Sequence, residues 1–175
     1  VSWQNGQRRA RAMTLPVIVR GRDLICDTIS GLKLEMYREM WNGEEMEEVP
    51  LAPRAWLSRI DQSVPNQFII SWTIDDLIFE GRAFWMIESR TADGYPASFT
   101  RLPAAMVQTL DQQGEVFFGP SKQVVFQGIQ LDPRDLVQFI SPMQSMNSTG
   151  ARAVEIALRV EESRLRASQS VLPSG

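Results

Sequence analysis

The segment from residue 65 to Gly81 constrains the fold more than any other part of this sequence. Its large apolar residues cover most of the circumference of a helix: Phe68, Ile69, Ile70, Trp72, Ile74, Leu77, Ile78 and Phe79. A helix that is apolar on nearly every side is buried on more than one side. The pattern predicts a central buried helix over residues 65–80, with Ser63 near its cap and Pro65 in its first turn. Gly81 is expected to end it in the left-handed conformation.

After Gly81 the apolar period changes to two, which is typical of a β-strand. Ala83, Trp85 and Ile87 alternate with their neighbours, and an Asp-Gly pair at 93–94 favours a tight reversal. Residues 82–90 and 97–102 are therefore predicted to pair as a hairpin. A second hairpin is expected from residues 107–110 and 115–118, and further strands from 123–127 and 135–140. These elements predict an α+β fold with a small, mostly antiparallel sheet packed on one buried helix.

Two further helices are expected at the ends of the chain. Residues 7–29 predict an N-terminal helix that bends or restarts at Pro16, because proline lacks a backbone N–H and clashes with the preceding turn. Residues 151–170 predict a long C-terminal helix with two i,i+4 acid–base pairs along it, Glu155 with Arg159 and Glu162 with Arg166. Two further segments lie between the N-terminal helix and the central buried helix. Residues 32–37 alternate like a half-buried strand, and a mobile loop is expected from Trp41 past Pro53.

Side chains expected to hold the core together are Trp56, Phe68, Trp72, Leu77, Phe79 and Gly81. Residues expected to contact another subunit lie on the C-terminal helix: Arg152, Glu155, Arg159, Glu162 and Arg166. The stripe of apolar residues on that helix is thin, so the helix is either solvated or packed against similar neighbours.

The N-terminal arginines have two interpretations. Before the first acid, Asp23, the chain carries Arg8, Arg9, Arg11, Arg20 and Arg22. Such a cluster either contacts phosphate, as in a nucleic-acid-binding module, or forms a solvated face or ion pairs. The acids expected to pair with it are the glutamates of one short stretch, Glu44, Glu45, Glu47 and Glu48. The formal net charge of -3 argues against tight DNA binding by the whole chain.

Composition makes catalysis a poor hypothesis. The chain has no histidine, which removes the commonest general base and most nucleophilic triads. Its single cysteine, Cys26, lies among apolar residues and is predicted to be a small buried hydrophobe. Asp75 and Asp76 are adjacent on the predicted helix and point in different directions, so a carboxylate-dependent hydrolase is the weakest alternative. We expect no catalytic residue, metal site or cofactor, and no apolar run is long enough for a membrane span.

The order of these elements resembles the portal proteins of tailed bacteriophages, which are ring-forming head-to-tail connectors. The resemblance is carried by Trp56-Leu57, by the Asp75-Asp76-Leu77 helix ending at Gly81, by Asp93-Gly94, by Leu102-Pro103 and by Asp135-Leu136-Val137. A polar segment ending at Gly150 and a long helix running to Pro173-Ser174-Gly175 complete the series. The order and spacing make this case, since no single motif is specific.

The resemblance implies a structural, non-enzymatic subunit of a dodecameric ring at one capsid vertex of the virion, assembled in the host cytoplasm. Residues 1–148 would form a wing-like domain, and residues 149–175 a stem-like helix with a truncated connection toward a clip region missing here. The implied partners are copies of itself, terminase during DNA packaging, head–tail adaptor proteins afterwards, and the major capsid or scaffolding protein. Double-stranded DNA would pass through the channel during packaging and genome ejection without sequence-specific contacts, and no membrane is implied. Mild acidity suits this role, because each fixed cation on a phosphate would hinder sliding.

Overall fold

The computed structural model describes residues 2–112 and 119–170. Within these residues the chain forms five α-helices: α1 (Ser2–Ala12), α2 (Pro16–Ser30), α3 (Ala55–Ser58), α4 (Asn66–Glu80) and α5 (Ala151–Ser170). The same residues form eight strands: β1 (Tyr37–Trp41), β2 (Met46–Pro50), β3 (Arg82–Arg90), β4 (Pro96–Leu102), β5 (Val107–Thr109), β6 (Val124–Phe126), β7 (Ile129–Leu131) and β8 (Leu136–Ile140). The predicted α+β class and the long C-terminal helix are confirmed.

The strands form three small sheets rather than one. Their orders are β1-β2, β4-β3-β8 and β5-β6-β7, and every pairing in them is antiparallel. The predicted hairpin after Gly81 is confirmed as β3 and β4, where Phe84 pairs with Leu102 and Ile87 with Phe99. The sheet of β3 is the central layer, because a core cluster lies on each of its faces.

The period of two in β3 divides the core between those faces. Phe84 points into a cluster that joins the central sheet to β5 and β6, with Leu102, Ala104, Val107, Val124 and Leu136 as its other buried members. Trp85 points to the opposite face, into a cluster with Ile60, Ile69 and Phe99. Its indole N–H also donates to the Thr73 hydroxyl at 2.8 Å, which ties β3 to α4. Phe84 and Trp85, consecutive residues of β3, therefore each anchor the core cluster on one face of the central sheet.

Helix α4 ends at Glu80 as predicted but starts one residue later than expected. Pro65 is the N-cap residue with extended backbone, not part of the first turn, and Ser63 lies outside the cap. The amides of Ser63 and Val64 instead donate to the Asp61 carboxylate, at 2.7 and 3.2 Å. Gly81 ends the helix with φ 74 and ψ 3, the left-handed cap that favours glycine.

The expected core side chains divide into buried and exposed groups. Phe79 and Gly81 are buried, and Trp56 and Leu77 are half-buried. Trp56 meets Phe99 of β4 edge-on, with ring centroids 5.7 Å apart. Phe68 and Trp72 contradict the expectation, since 52% and 39% of their surfaces are exposed. Phe68 and Trp72 share one face of α4 with Asp75 and Phe79. That face is buried toward the C-terminal end of the helix, where arginines of α1 and α2 reach Asp75, and exposed toward the N-terminal end.

The structure corrects two expectations for residues 32–53 and adds one strand and one strand pairing that were not expected. Residues 32–36 form no ladder, and the strand begins at Tyr37; the expected loop is instead an exposed hairpin of β1 and β2. Strand β5 pairs with β6, a pairing that the sequence did not predict. Residues 115–118, the partner expected for residues 107–110, lie outside the described residues, so that pairing stays a prediction. Strand β7 was not predicted, because three residues are too few for a clear period.

The N-terminal helix restarts at Pro16, as predicted, and Cys26 is buried on α2 with 1% exposure. Burial raises the pKa of the Cys26 thiol, the largest of several effects on it. Cys26 therefore acts as a small hydrophobe.

Candidate assembly surfaces and the ion pairs that position them

Asp75 is a buried junction that joins three helices. Its Oδ2 accepts a hydrogen bond from Arg9 of α1 at 2.7 Å, and its Oδ1 accepts one from Arg22 of α2 at 2.8 Å. Arg22 also donates to Asp23 at 2.6 Å, and its hydrogen bonds to Asp23 and Asp75 raise the pKa of the Arg22 guanidinium. The Arg9 guanidinium lies 5.1 Å from the centre of the Phe79 ring. A buried carboxylate with two cations therefore fixes α1 and α2 on α4.

Asp76 points away from Asp75, as their adjacent positions predict, and holds a different part of the fold. Its Oδ2 accepts from Arg101 of β4, whose Nη2 is 2.7 Å away, and from the Ala104 amide at 3.5 Å. Burial raises the pKa of Asp76 to about 6, although Arg101 and the Ala104 amide lower it. Burial therefore outweighs the ion pair for this carboxylate.

This shift predicts an unusual pH dependence for Asp76. The folded-state pKa near 6 exceeds the unfolded value of about 3.9, so the folded chain binds the proton more tightly. The contribution of Asp76 to stability is then fully present below about pH 3.9 and is lost as the pH rises through 6. From pH 7 to pH 4, the unfolding free energy of the wild type minus that of Asp76→Asn is expected to rise by about 2 kcal/mol.

Urea unfolding of both proteins at several pH values measures this difference. The other carboxylates titrate alike in the two proteins, so their contributions cancel when the two free energies are subtracted. A difference that falls on acidification would show that the Arg101 pair outweighs burial.

The C-terminal end of α4 positions the start of α5. Glu80 accepts hydrogen bonds from Asn5 of α1 at 2.9 Å and from Asn147 at 2.8 Å. The Asn147 carbonyl accepts from Arg8 at 3.0 Å, and the Asn147 amide donates to the Phe79 carbonyl at 3.2 Å. The segment before α5 is therefore bonded to α1 and α4, which sets the direction in which α5 leaves the core.

Helix α5 leaves the body of the chain with most of its surface exposed. From Arg159 to Gln169 every residue is exposed, including Val160 and Leu165. The five expected contact residues lie on one side of the helix, and all of them are exposed: Arg152, Glu155, Arg159, Glu162 and Arg166. The predicted i,i+4 pairs are present at 3.3 Å and 3.6 Å. Pairs this exposed stabilise a helix by only about 0.3–0.5 kcal/mol each, so they do not explain the length of α5.

A second stripe on α5 is apolar and has no covering element among the described residues. Ile156 and Val160 are 55% and 46% exposed and lie along a shallow surface depression with Ser163 and Ala167. A helix that is exposed on both a charged and an apolar side is typical of one that packs against other helices. Contact of α5 with another subunit stays a prediction.

Only part of the arginine cluster is the free basic patch that the sequence allowed, because Arg11 and Arg20 are exposed without an ion pair among the described residues. Arg9 and Arg22 are bound to Asp75, and Arg8 donates to the Asn147 carbonyl. The glutamates expected to pair with the arginines form no ion pair with the described chain, so that prediction is wrong: Glu44, Glu45, Glu47 and Glu48. The sequence carried a signal for the correct partner. Two carboxylates inside an otherwise apolar helix need cations, and the first 22 residues supply arginines without acids.

Neither a metal site nor a membrane span is found in the described residues. No group of three or more metal-ligating side chains comes together among residues 2–112 and 119–170. In the same part of the chain, no helix combines the length and the apolar character needed to cross a membrane.

No family model and no curated protein matches the sequence. Among solved structures, the chain is similar to a HK97-family phage portal protein from Corynebacterium diphtheriae, with a TM-score of 0.66 and 19% sequence identity. The match covers 92% of this chain and 50% of that protein, so the chain spans half the length of the structure it resembles. The fold implied by the resemblance to portal proteins is therefore confirmed.

Proposed function

We propose that the chain is part of a structural, non-enzymatic subunit of a phage portal ring. The observation that carries the proposal is the shared fold over 92% of the chain. In this proposal residues 1–148 form the wing, and residues 149–175 begin a stem helix that leads toward a clip. Copies of the subunit close into a ring, expected to be a dodecamer, at one vertex of the capsid in the virion.

Several features of the structure support a geometric role. The polar residues inside α4 are used as ties between elements, and Asp75 and Asp76 each have an arginine partner rather than an open space beside them. Helix α5 extends from a base that Glu80, Asn147 and Arg8 hold in place. In a ring, α5 must leave every subunit in the same direction so that equivalent contacts repeat, and a rigid base under the helix supports this.

The proposed ring forms the channel through which double-stranded DNA enters during packaging and leaves during ejection. Terminase docks on it during packaging, and head–tail adaptors dock afterwards; the major capsid or scaffolding protein surrounds it. The net charge of -3 leaves this part of the subunit without the excess of cations that would bind the phosphate backbone tightly. A DNA duplex therefore meets little electrostatic resistance to sliding along it.

Electron microscopy of the complete product of the gene tests the proposal. We expect uniform rings with a central channel wide enough for a DNA duplex. A product that stays monomeric in buffers close to the ionic conditions of the virion would contradict it. If the monomer instead bound duplex DNA with a steep salt dependence that Arg11→Ala and Arg20→Ala abolish, the alternative of a nucleic-acid-binding module would replace the proposal.

A further inference from the structure

The hairpin of β1 and β2 is an exposed acidic element that the fold of the single chain does not use. Every residue of both strands is exposed. The hairpin carries five glutamates against one arginine, Arg38, and none of the five forms an ion pair with the described chain: Glu39, Glu44, Glu45, Glu47 and Glu48. The turn is nevertheless well defined, since the Asn42 side chain accepts from the amides of Glu44 and Glu45 at 2.9 and 3.0 Å.

The register of the hairpin places unfavourable groups side by side. Glu39 lies directly opposite Glu48, and residues directly opposite each other point to the same face. On that face the next pair toward the turn is Trp41 with Met46, which are 63% and 57% exposed. Opposed like charges destabilise a two-stranded ribbon that is already marginal on its own. A cationic and partly apolar surface laid on this face would relieve both costs.

The chain has a surface of matching chemistry at the base of α5. A cleft of about 320 Å³ lies between α1 and α5, with three arginines around it, Arg8, Arg11 and Arg152. All three are exposed, and none has a carboxylate within ion-pair distance among the described residues. Glu155 is the one acid in the lining. The apolar part of the lining comes from Ala12, Met146, Val154 and Leu158.

We propose that the β1–β2 hairpin of one copy docks into the α1–α5 cleft of the neighbouring copy. The glutamates of the hairpin meet the three arginines, and Trp41 and Met46 cover the apolar lining. The first turn of α5 also faces the cleft through Ala151, and the positive end of a helix dipole favours carboxylates. The contact joins two different surfaces, so it repeats from copy to copy and closes a ring when the rotation allows. This inference rests on the proposed ring and names one contact within it.

Charge reversal tests the pairing directly. The hairpin variant carries Glu39→Lys and Glu48→Lys, which lie on the face of Trp41 and Met46, and the cleft variant carries Arg11→Glu and Arg152→Glu. Arg20→Glu with Arg59→Glu is the matched control for the cleft variant, because these arginines are exposed, lie outside the cleft and change the net charge by the same amount and sign. Sedimentation velocity of the 175-residue chain over a concentration series at low salt measures self-association.

The wild type is expected to self-associate weakly, and added salt should weaken it further. Each variant alone should associate at least about tenfold more weakly, whereas the control should behave like the wild type. The protein that carries all four substitutions should recover association, because the opposite charges meet again with their places exchanged. The proposal would be overturned if the protein with all four substitutions associates as weakly as the two double variants. It would also be overturned if the wild type is monomeric at the highest concentration.

Two further outcomes separate this inference from others. If the cleft variant loses affinity for a short DNA duplex while the hairpin variant associates normally, the cleft binds nucleic acid and the hairpin proposal fails. If the complete gene product forms rings that the hairpin variant leaves intact, the docking contact is wrong but the portal function stands. Absence of rings in the wild-type product would instead contradict the portal function itself.

Discussion

Replacing Asp75 by alanine is expected to lower the free energy of unfolding by about 3 kcal/mol. Removing one partner of a buried ion pair costs about 3–5 kcal/mol, because the remaining charge is left without compensation. Here two guanidinium groups, those of Arg9 and Arg22, lose their shared carboxylate. Their side chains are 39% and 24% exposed, so water compensates them in part and the lower end of the range applies.

The loss should be local as well as global. Asp75 is the polar tie of α1 and α2 to α4, so amide hydrogen exchange in residues 2–30 should accelerate more than exchange in β3 and β4. Asp27→Ala is the matched control, since Asp27 is an exposed aspartate on α2 without an ion pair among the described residues. Urea unfolding gives the energies. A loss below about 1 kcal/mol for Asp75→Ala would mean that apolar packing alone holds the two N-terminal helices.

The elements with a strong local period could be predicted from the sequence. Helix α4 ends at Gly81 as expected, and β3 and β4 pair as expected, because a long apolar run that ends at a glycine and is followed by a period of two permits few other structures. The restart at Pro16 and the length of α5 follow equally local rules. These elements suffice to identify the order on which the resemblance to portal proteins depends.

What could not be predicted depends on contacts between distant residues. Spacing along the chain says nothing about which arginine reaches Asp75, which is 53 residues from Arg22. The sequence alone therefore favours the nearer run of glutamates as the partner of the arginines. The hairpin of β1 and β2 was missed for a different reason. Both of its faces are exposed, so burial imposes no alternation of apolar and polar residues on it.

The largest effect of a single apolar substitution is expected at Phe79, compared with Phe68 on the same helix. Phe79 is 1% exposed, and Phe79→Ala should lower the free energy of unfolding by about 3–5 kcal/mol through lost burial and the cavity left behind. Phe68→Ala, at 52% exposure, should cost at most about 1 kcal/mol. Both residues belong to α4, so the change in helix propensity is nearly the same in both variants and cancels from the comparison.

This pair of variants decides between the sequence pattern and the structure of α4. The apolar pattern alone assigns both phenylalanines to the core, whereas the structure buries Phe79 near the C-terminal end of α4 and leaves Phe68 exposed near its N-terminal end. Urea unfolding at low protein concentration measures the two losses without a contribution from self-association. Equal losses would mean that Phe68 is also buried in the folded chain. A small loss for Phe68→Ala in the monomer, together with weaker ring formation by the complete gene product, would place Phe68 in a contact between subunits.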